Sequence, residues 1–432
     1  MANTTNFPNG FLAGVTLRGL PILQTNPGNI YWVGNGPGVG GSAGLGPGGV
    51  NATRFSGASD NNAGTYQRPF ATITQALQMC VQGAGDIILV KPGHVEFCTG
   101  ADGLMAATYD PTGAIVTSTG GGTYNFRMNV NGVAIIGLGS GNFRPTIVFN
   151  TATAATIPVR AANMSIQNFR FIGSFAAVAS AFTHISSSSA TSTVTAQTTG
   201  GYCTYTSVGA VSTIWPGAAL TGSTVLPGTY IVQQLTGTAN GIGTYQIWPP
   251  QPAVASFTAT TGPWDFNIES CDLIDAGAAL NILALVTTTA TANTSSGLRI
   301  SNCNWYNNAT SGACSLVKPG AAFDRLTITD NFINSQAATT GALLIPMAAL
   351  IFTNVNIGRN KASKPTTAAT GSLVTGSGST SSGMFYDNYC WTLATSTGLI
   401  ITASTGIGAA NNFGTITGAT TNPNAIINPT AA

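Results

Sequence analysis

The feature that most constrains this chain is a short phrase that returns about every thirty residues along its second half. It reads apolar-x-apolar, then one or two Asn, Asp or Ser, then apolar again. The copies are Met164–Phe169, Phe266–Cys271, Leu298–Cys303 and Leu326–Asn331, with weaker ones at Val355–Asn360 and Met384–Asn388. Taking the second apolar residue as the mark, the steps from Ile268 through Ile300, Ile328 and Ile357 to Phe385 are 32, 28, 29 and 28 residues. A fixed period of this size signals a stacked solenoid, and the period-two alternation inside each copy makes the stacked unit a strand. Each copy is read as one rung of a right-handed parallel β-helix, an all-β fold.

Stacking sets what each position must be. Ile268, Cys271 and Leu273, then Ile300, Cys303 and Trp305, then Ile328, Asn331 and Ile333 should project inward. Equivalent residues of successive rungs lie about 4.8 Å apart, so Cys271 and Cys303 should stack as buried thiols. Asn331, Asn360 and Asn388 occupy the same slot further on and should form a hydrogen-bonded ladder along the axis.

Composition narrows the function classes. Only 6% of the 432 residues are charged and the net charge is +2, against a typical quarter of residues charged. Scattered Lys and Arg do not make the basic patch that nucleic acid demands, so a nucleic-acid partner is not expected. The longest apolar run, 342–352, contains Pro346 and is too short to span a bilayer, so no membrane partner is expected either. The N-terminus lacks the charged and apolar regions of a signal peptide. Seven cysteines form no CxxC pair, and His94 and His184 are the only histidines, a poor supply for a metal centre. No cofactor is expected.

Four segments follow. Residues 1–66, rich in Gly, Pro and Asn, read as an extended N-terminal arm with apolar patches at Phe11-Leu12, Ile22-Leu23 and Ile30–Val33. Residues 67–186 hold a cap helix begun by Thr72, a buried strand at Ile87–Val90 and the first rungs. Ile166 and Ile268 are 102 residues apart, and removing a stretch of different texture between them leaves one period. Residues 187–260 are therefore read as a small antiparallel β domain inserted within a rung. Residues 261–432 carry the remaining rungs and a polar tail, the β-helix itself running from about 67 to 415.

The one acidic cluster, Asp265, Glu269, Asp272 and Asp275, lies on a single rung. Glu269 and Asp272 flank the inward Cys271 and should face outward. Paired outward carboxylates can serve as acid and base in glycoside hydrolysis, but the next rung offers Ser301 and Asn304 at the matching positions. The cluster is read as a solvated face. Gly137–Gly141 has the glycines of a phosphate loop without its Lys or helix and reads as a turn. No catalytic, cofactor-binding or metal-ligating residue is assigned. The insert aromatics Tyr202, Tyr205, Trp215, Tyr230, Tyr245 and Trp248 are read as the core of a small β module, with sugar stacking as the alternative.

The arm from Asn9-Gly10 to Tyr31–Gly34, the string Arg68–Ile73 with Gly85–Glu96, and Ile135–Gly139 with Arg144–Thr146 together resemble tailed-bacteriophage structural proteins of the right-handed parallel β-helix type. The insert, at Gly228–Gly237 and Gly241–Tyr245, is similar to a β module of phage virion proteins. The resemblance implies a virion structural protein and does not single out one role; scarce charge, few catalytic groups and the apolar arm make the leading expectation a capsid decoration or cement protein on the capsid surface, bound to the major capsid protein and to itself as a homotrimer. With so few catalytic groups it is expected to be no enzyme. The alternatives are a tail-spike or fibre that binds or cuts host-surface glycan, and a pure glycan-binding module. The arm, with Phe11, Leu12, Ile22, Leu23, Tyr31 and Trp32, is expected to be the anchor.

Overall fold

Each rung sends one strand into each of up to three stacks, so the computed structural model is a three-faced parallel β-helix. It describes residues 28–34, 58–98 and, with gaps in the loops, 124–416, together with strands at 15–17, 20–22, 104–106 and 424–426. The first sheet runs in parallel from Ile30–Val33 through Ile87–Val90, Ala134–Gly137, Ser165–Gln167 and Trp264–Glu269 to Ile407–Ala410. Ile88, Ile135, Ile166, Ile268, Ile300, Ile328, Ile357 and Phe385 stand in register down its inner side. The second sheet runs from Val95–Cys98 through Asp272–Asp275 to Phe413–Ile416. A third, shorter stack holds Ile157–Val159, Phe182–His184, Ala284–Thr288 and Ser315–Lys318. Because parallel crossovers are right-handed, the coil takes that hand.

The bend between the first two sheets explains the Asn/Asp/Ser of the repeat. Asn168, Ser270, Asn302, Asp330, Arg359, Asp387 and Asn411 all adopt left-handed backbone, with φ between 51° and 60°. Asn and Asp tolerate that region better than other non-glycine residues. The next residue in each rung turns inward: Cys271, Cys303, Asn331, Asn360, Asn388 and Asn412 are all buried. The Asn side chains form the expected ladder, extended by Asn412. Asn360 Nδ2 donates to Ile328 O (2.8 Å) and Asn388 Oδ1 (2.9 Å), while its own Oδ1 accepts from Asn331 N (3.1 Å) and Nδ2 (2.9 Å). Cys271 and Cys303 are free thiols stacked in the same column. Burial, together with the neighbouring Cys271, pushes the Cys303 thiol well up.

The N-terminal end is closed by a helix at Ile73–Met79, whose Thr72 hydroxyl accepts from the Gln75 amide at 3.1 Å. Three acids hold it. Asp60 accepts from the Ala71 and Thr72 amides, and Glu96 Oε1 accepts from the Ile73 amide at 2.7 Å. Asp86 receives the Val81 amide at 2.7 Å and the Asn29 amide at 2.5 Å. The Ala71, Thr72 and Ile73 amides at the helix start have no partner within the helix and are the groups that capping carboxylates satisfy, while Asp86 ties the chain just beyond the helix to the segment before the first strand.

One boundary is corrected. Ile30–Val33, assigned from sequence to the arm, is the first strand of the long sheet and pairs in parallel with Ile87–Val90. Val33 is fully buried. An apolar strand can cover the edge of the first sheet only if it joins it. Val15–Leu17 and Leu20–Ile22 pair antiparallel, while Phe11 and Leu12 lie outside the described residues.

Between Phe182–His184 and Trp264–Glu269 the chain forms a closed antiparallel barrel of six strands, from Ser187–Thr195 to Val254–Gly262. Its first and last strands pair with each other, Ser187 opposite Thr261. The rung resumes in register, Ile166 beside Ile268. The barrel has its own core around Tyr205, Ile231, Tyr245 and Ile247, and it meets the solenoid where the Ala162 amide donates to Gly217 O at 2.9 Å.

Candidate functional site

The four acids of the Asp265–Asp275 rung are dispersed by the fold. Asp265 is the second residue of the Trp264–Glu269 strand, with left-handed backbone (φ 56°), half-exposed, and pairs with Arg325 at 3.1 Å. The Arg325 guanidinium lies over the Trp264 ring, 4.6 Å from its centroid. Glu269 stands on the outer side of the first sheet between Gln167 and Ser301. Asp272 stands on the outer side of the second sheet, ion-paired with Arg144 at 2.6 Å and accepting from Asn304 Nδ2 at 3.0 Å. Asp275 points the other way, into the corner between the second and third sheets, and is fully buried. Burial raises its carboxyl to about 7, against the lowering effect of the Ile282 amide, which donates to Oδ1 at 2.7 Å. The alternation placed Glu269 and Asp272 outward correctly, but a turn between two sheets separates them. Among the described residues no second carboxylate faces either one.

The histidines are buried and structural. His94 Nε2 lies 2.7 Å from Glu96 Oε1, and both side chains are shut off from solvent. The same oxygen takes the Ile73 amide, so the pair clamps the cap helix. His184 is wholly buried against Phe323, with no hydrogen-bond partner for either ring nitrogen. Desolvation lowers its pKa to about 3. Among the described residues no group of three His, Cys, Asp or Glu could hold a metal, and no helix is long and apolar enough to cross a membrane.

The insert aromatics divide. Tyr205 and Tyr245 form the barrel core, and Trp215 lies under the Arg160 guanidinium at 4.1 Å where barrel meets solenoid. The Tyr230 hydroxyl packs so closely on Gly83 that an added Cβ there would lie 2.5 Å from it. Trp248 is 53% exposed, while Tyr202 lies outside the described residues. Among the described members of this set, Trp248 alone is exposed.

Sequence reasoning missed the surface with the most unusual composition, the outer face of the second sheet. Its two outward columns are set by register. One runs Thr146, Arg170, Asp272, Asn304, Phe332, Lys361, Tyr389, Phe413, and the other Val148, Ile172, Ile274, Tyr306, Asn334, Ser363, Trp391. Phe332, Tyr389, Phe413 and Tyr306 are 37–45% exposed, and the Tyr306 and Phe332 rings lie 6.2 Å apart. The first sheet presents Ser165, Asn267, Arg299, Thr327, Asn356 and the 50% exposed Met384 in its corresponding column. Alternation of Asn-Trp-Tyr-Asn (304–307) and Phe-Ile-Asn-Ser (332–335) carried the signal, because an aromatic next to an inward apolar residue on a strand must point out.

No family model matches the chain, and no curated protein matches it. Among solved structures it is similar to a rhamnogalacturonan lyase, at 13% identity and a TM-score of 0.35, over 84% of this chain and 74% of the other. That neighbour is an enzyme, and on this finding the expectation that the chain has no enzymatic activity is withdrawn.

Proposed function

We propose that the chain is a structural protein of a tailed-bacteriophage virion, a capsid decoration protein that assembles with copies of itself as a homotrimer and sits on the major capsid protein. The observation that carries this reading is the row of exposed rings Tyr306, Phe332, Tyr389 and Phe413 on the second sheet of a solenoid with only 6% charged residues. A row of exposed rings marks an interaction site, and a virion supplies permanent neighbours. The string Arg68–Glu96 supports the phage assignment by resemblance. Its Thr72, Asp86, His94 and Glu96 are the residues that build the cap. Particles of the producing phage, separated into heads and tails and read by mass spectrometry, test the reading. The protein should be found with heads, and its confinement to tails would overturn the decoration role.

A second reading is favoured by one specific observation: Tyr306, Phe332, Tyr389 and Phe413 expose their rings along one straight face, and aromatic rings stack on sugars. In that reading the chain is a spike or fibre that engages host-surface glycan. Incubation with host polysaccharide, followed for bound glycan and for new chain ends, separates binding from cleavage. Neither signal is expected from a decoration protein.

A further inference from the structure

The inserted barrel falls in the longest uncharged stretch of the chain: none of the 14 Lys and Arg, 12 Asp and Glu or 2 His lies between residues 185 and 264. Its surface meets water with neutral hydroxyls and amides alone. The outer side of the hairpin formed by Tyr230–Gly237 and Gly243–Trp248 shows their arrangement. Tyr245 and Ile247 belong to the barrel core, so alternation turns Thr244, Gln246 and Trp248 outward on the same strand. Across the hairpin Gln246 faces Gln233, and Thr244 faces Thr236. Gln233 Nε2 donates to Gln246 Oε1 at 2.7 Å, and the Thr236 and Thr244 hydroxyls bond each other at 2.6 Å. The amide pair keeps capacity on each side, since Gln246 Nε2 can still donate and Gln233 Oε1 can still accept. Two residues along the strand, about 6.8 Å away, Trp248 leaves 53% of its surface to solvent. Tyr230 stands opposite it, packed on Gly83, which steadies this end of the hairpin against the cap. The other exposed apolar groups of the hairpin, Leu235 and Ile242, sit toward its turn, at the far end from Trp248.

We propose that this face of the barrel binds a neutral carbohydrate, one sugar ring lying flat on the Trp248 indole with its hydroxyls bonded by Gln246 Nε2 and Gln233 Oε1. A pyranose ring carries a face of C–H groups and a rim of hydroxyls. An exposed indole beside neutral amides presents the matching pair of surfaces, apolar under the ring and hydrogen-bonding at its edge. A hydroxyl is both donor and acceptor, and the amide pair offers one of each. Amides exchange their water for sugar hydroxyls at little cost, whereas a charged side chain would shed tightly held water against a ligand that returns no charge. An anionic glycan, a nucleic acid or an acidic protein surface finds no counter-charge on the barrel. The inference goes beyond both readings above. It uses the barrel rather than the rings of the second sheet, and it holds for a decoration protein as well as for a spike.

The test uses the full chain and a panel of neutral gluco-, galacto- and manno-oligosaccharides, each with a uronate- or sulfate-bearing counterpart. At least one neutral oligosaccharide should bind and change the indole fluorescence. Its affinity should hold between low salt and about 1 M salt, where contacts between exposed charges are screened. Trp248→Ala should weaken that binding by roughly tenfold or more, with unchanged far-UV circular dichroism. Gln233→Leu with Gln246→Leu should weaken it several-fold, and this pair decides if Trp248→Ala fails to fold. Phe332→Ala with Tyr389→Ala, on the second sheet, should bind as the unmodified protein does. No neutral oligosaccharide bound at millimolar concentration overturns the inference, as do a preference for the acidic counterparts, loss of binding in high salt, or full affinity in folded Trp248→Ala. Binding lost only with Phe332 and Tyr389 also overturns it and leaves the spike reading standing, while the decoration reading stands or falls on the particle fractionation alone.

Discussion

Replacing Asn360 by Ala should cost far more than the loss of one small polar side chain would suggest. Asn360 is fully buried and makes four ladder hydrogen bonds, two as donor and two as acceptor. Truncation leaves Asn331 Nδ2 its other bond, to Ile300 O at 3.1 Å. Asn388 Oδ1 keeps the Asn360 amide, at 3.1 Å. The Asn331 amide and Ile328 O lose their ladder partners in a site closed to water. At about 1–3 kcal/mol for each of the two stranded groups, the loss is about 2–6 kcal/mol, a large share of the net stability of an ordinary domain. Urea unfolding followed by circular dichroism measures the total. Hydrogen exchange localises it, since the Asn331 amide should lose protection while amides of the inserted barrel keep theirs. Asn360→Asp should be worse than Ala, because a carboxylate oxygen would face Ile328 O and Asn388 Oδ1 where a donor is required. Unchanged unfolding together with unchanged protection at Asn331 would show that the column is held by its flanking strands and that the ladder is incidental.

Two buried ionisable groups make opposite demands on pH. His184, lowered to about 3, contributes full stability above its unfolded value near 6.5 and loses it as pH falls; Asp275, raised to about 7, contributes fully below its unfolded value near 3.8 and loses stability as pH rises. Between about pH 4 and 6.5 the two slopes, each about 1.4 kcal/mol per pH unit, oppose one another. In urea titrations across that range His184→Gln should therefore become less stable with rising pH and Asp275→Asn less stable with falling pH, and parallel profiles would contradict both placements. Removing residues 1–27 should leave the melting profile intact, whereas removing 1–33 takes away the strand beside Ile87–Val90 and should produce aggregation visible by light scattering. Gly358→Ala should destabilise the rung that follows, because the added methyl would lie 2.2 Å from the Tyr386 ring; a shifted melting midpoint relieved by adding Tyr386→Ala would confirm the clash.

The inward column of Ile268, Ile300, Ile328 and Ile357 was legible because each rung needs the same residue type at the same depth, and the ladder because Asn repeated in that column. The third sheet was not. Its strands, such as Phe182–His184 and Ala284–Thr288, follow loops of changing length and carry no marker residue that repeats. Three barrel strands showed through their aromatics and Gly turns. Ser187–Thr195 and Val254–Gly262 did not, being Ser-, Thr- and Ala-rich strands whose pairing is fixed by barrel closure. Ile30–Val33 was misread because its partner lies more than fifty residues away, beyond a Gly-rich stretch. For the acids, alternation gave the direction of Glu269 and Asp272, but only the folded chain brings Arg144 to Asp272 and Arg325 to Asp265. The aromatic stripe needed the register of eight strands, which no single rung contains.

The barrel leaves and rejoins the solenoid through neighbouring strands, with Ser187 opposite Thr261 and the rung resuming in register. The solenoid therefore sees the whole inserted domain as little more than a tight turn. Closing such a short gap carries little entropic cost, so the stack need not know what hangs from it. Any compact domain with adjoining termini is a candidate to replace the barrel without disturbing the rungs on either side. That makes this corner a socket, where the solenoid can exchange the domain it carries while keeping the scaffold that carries it.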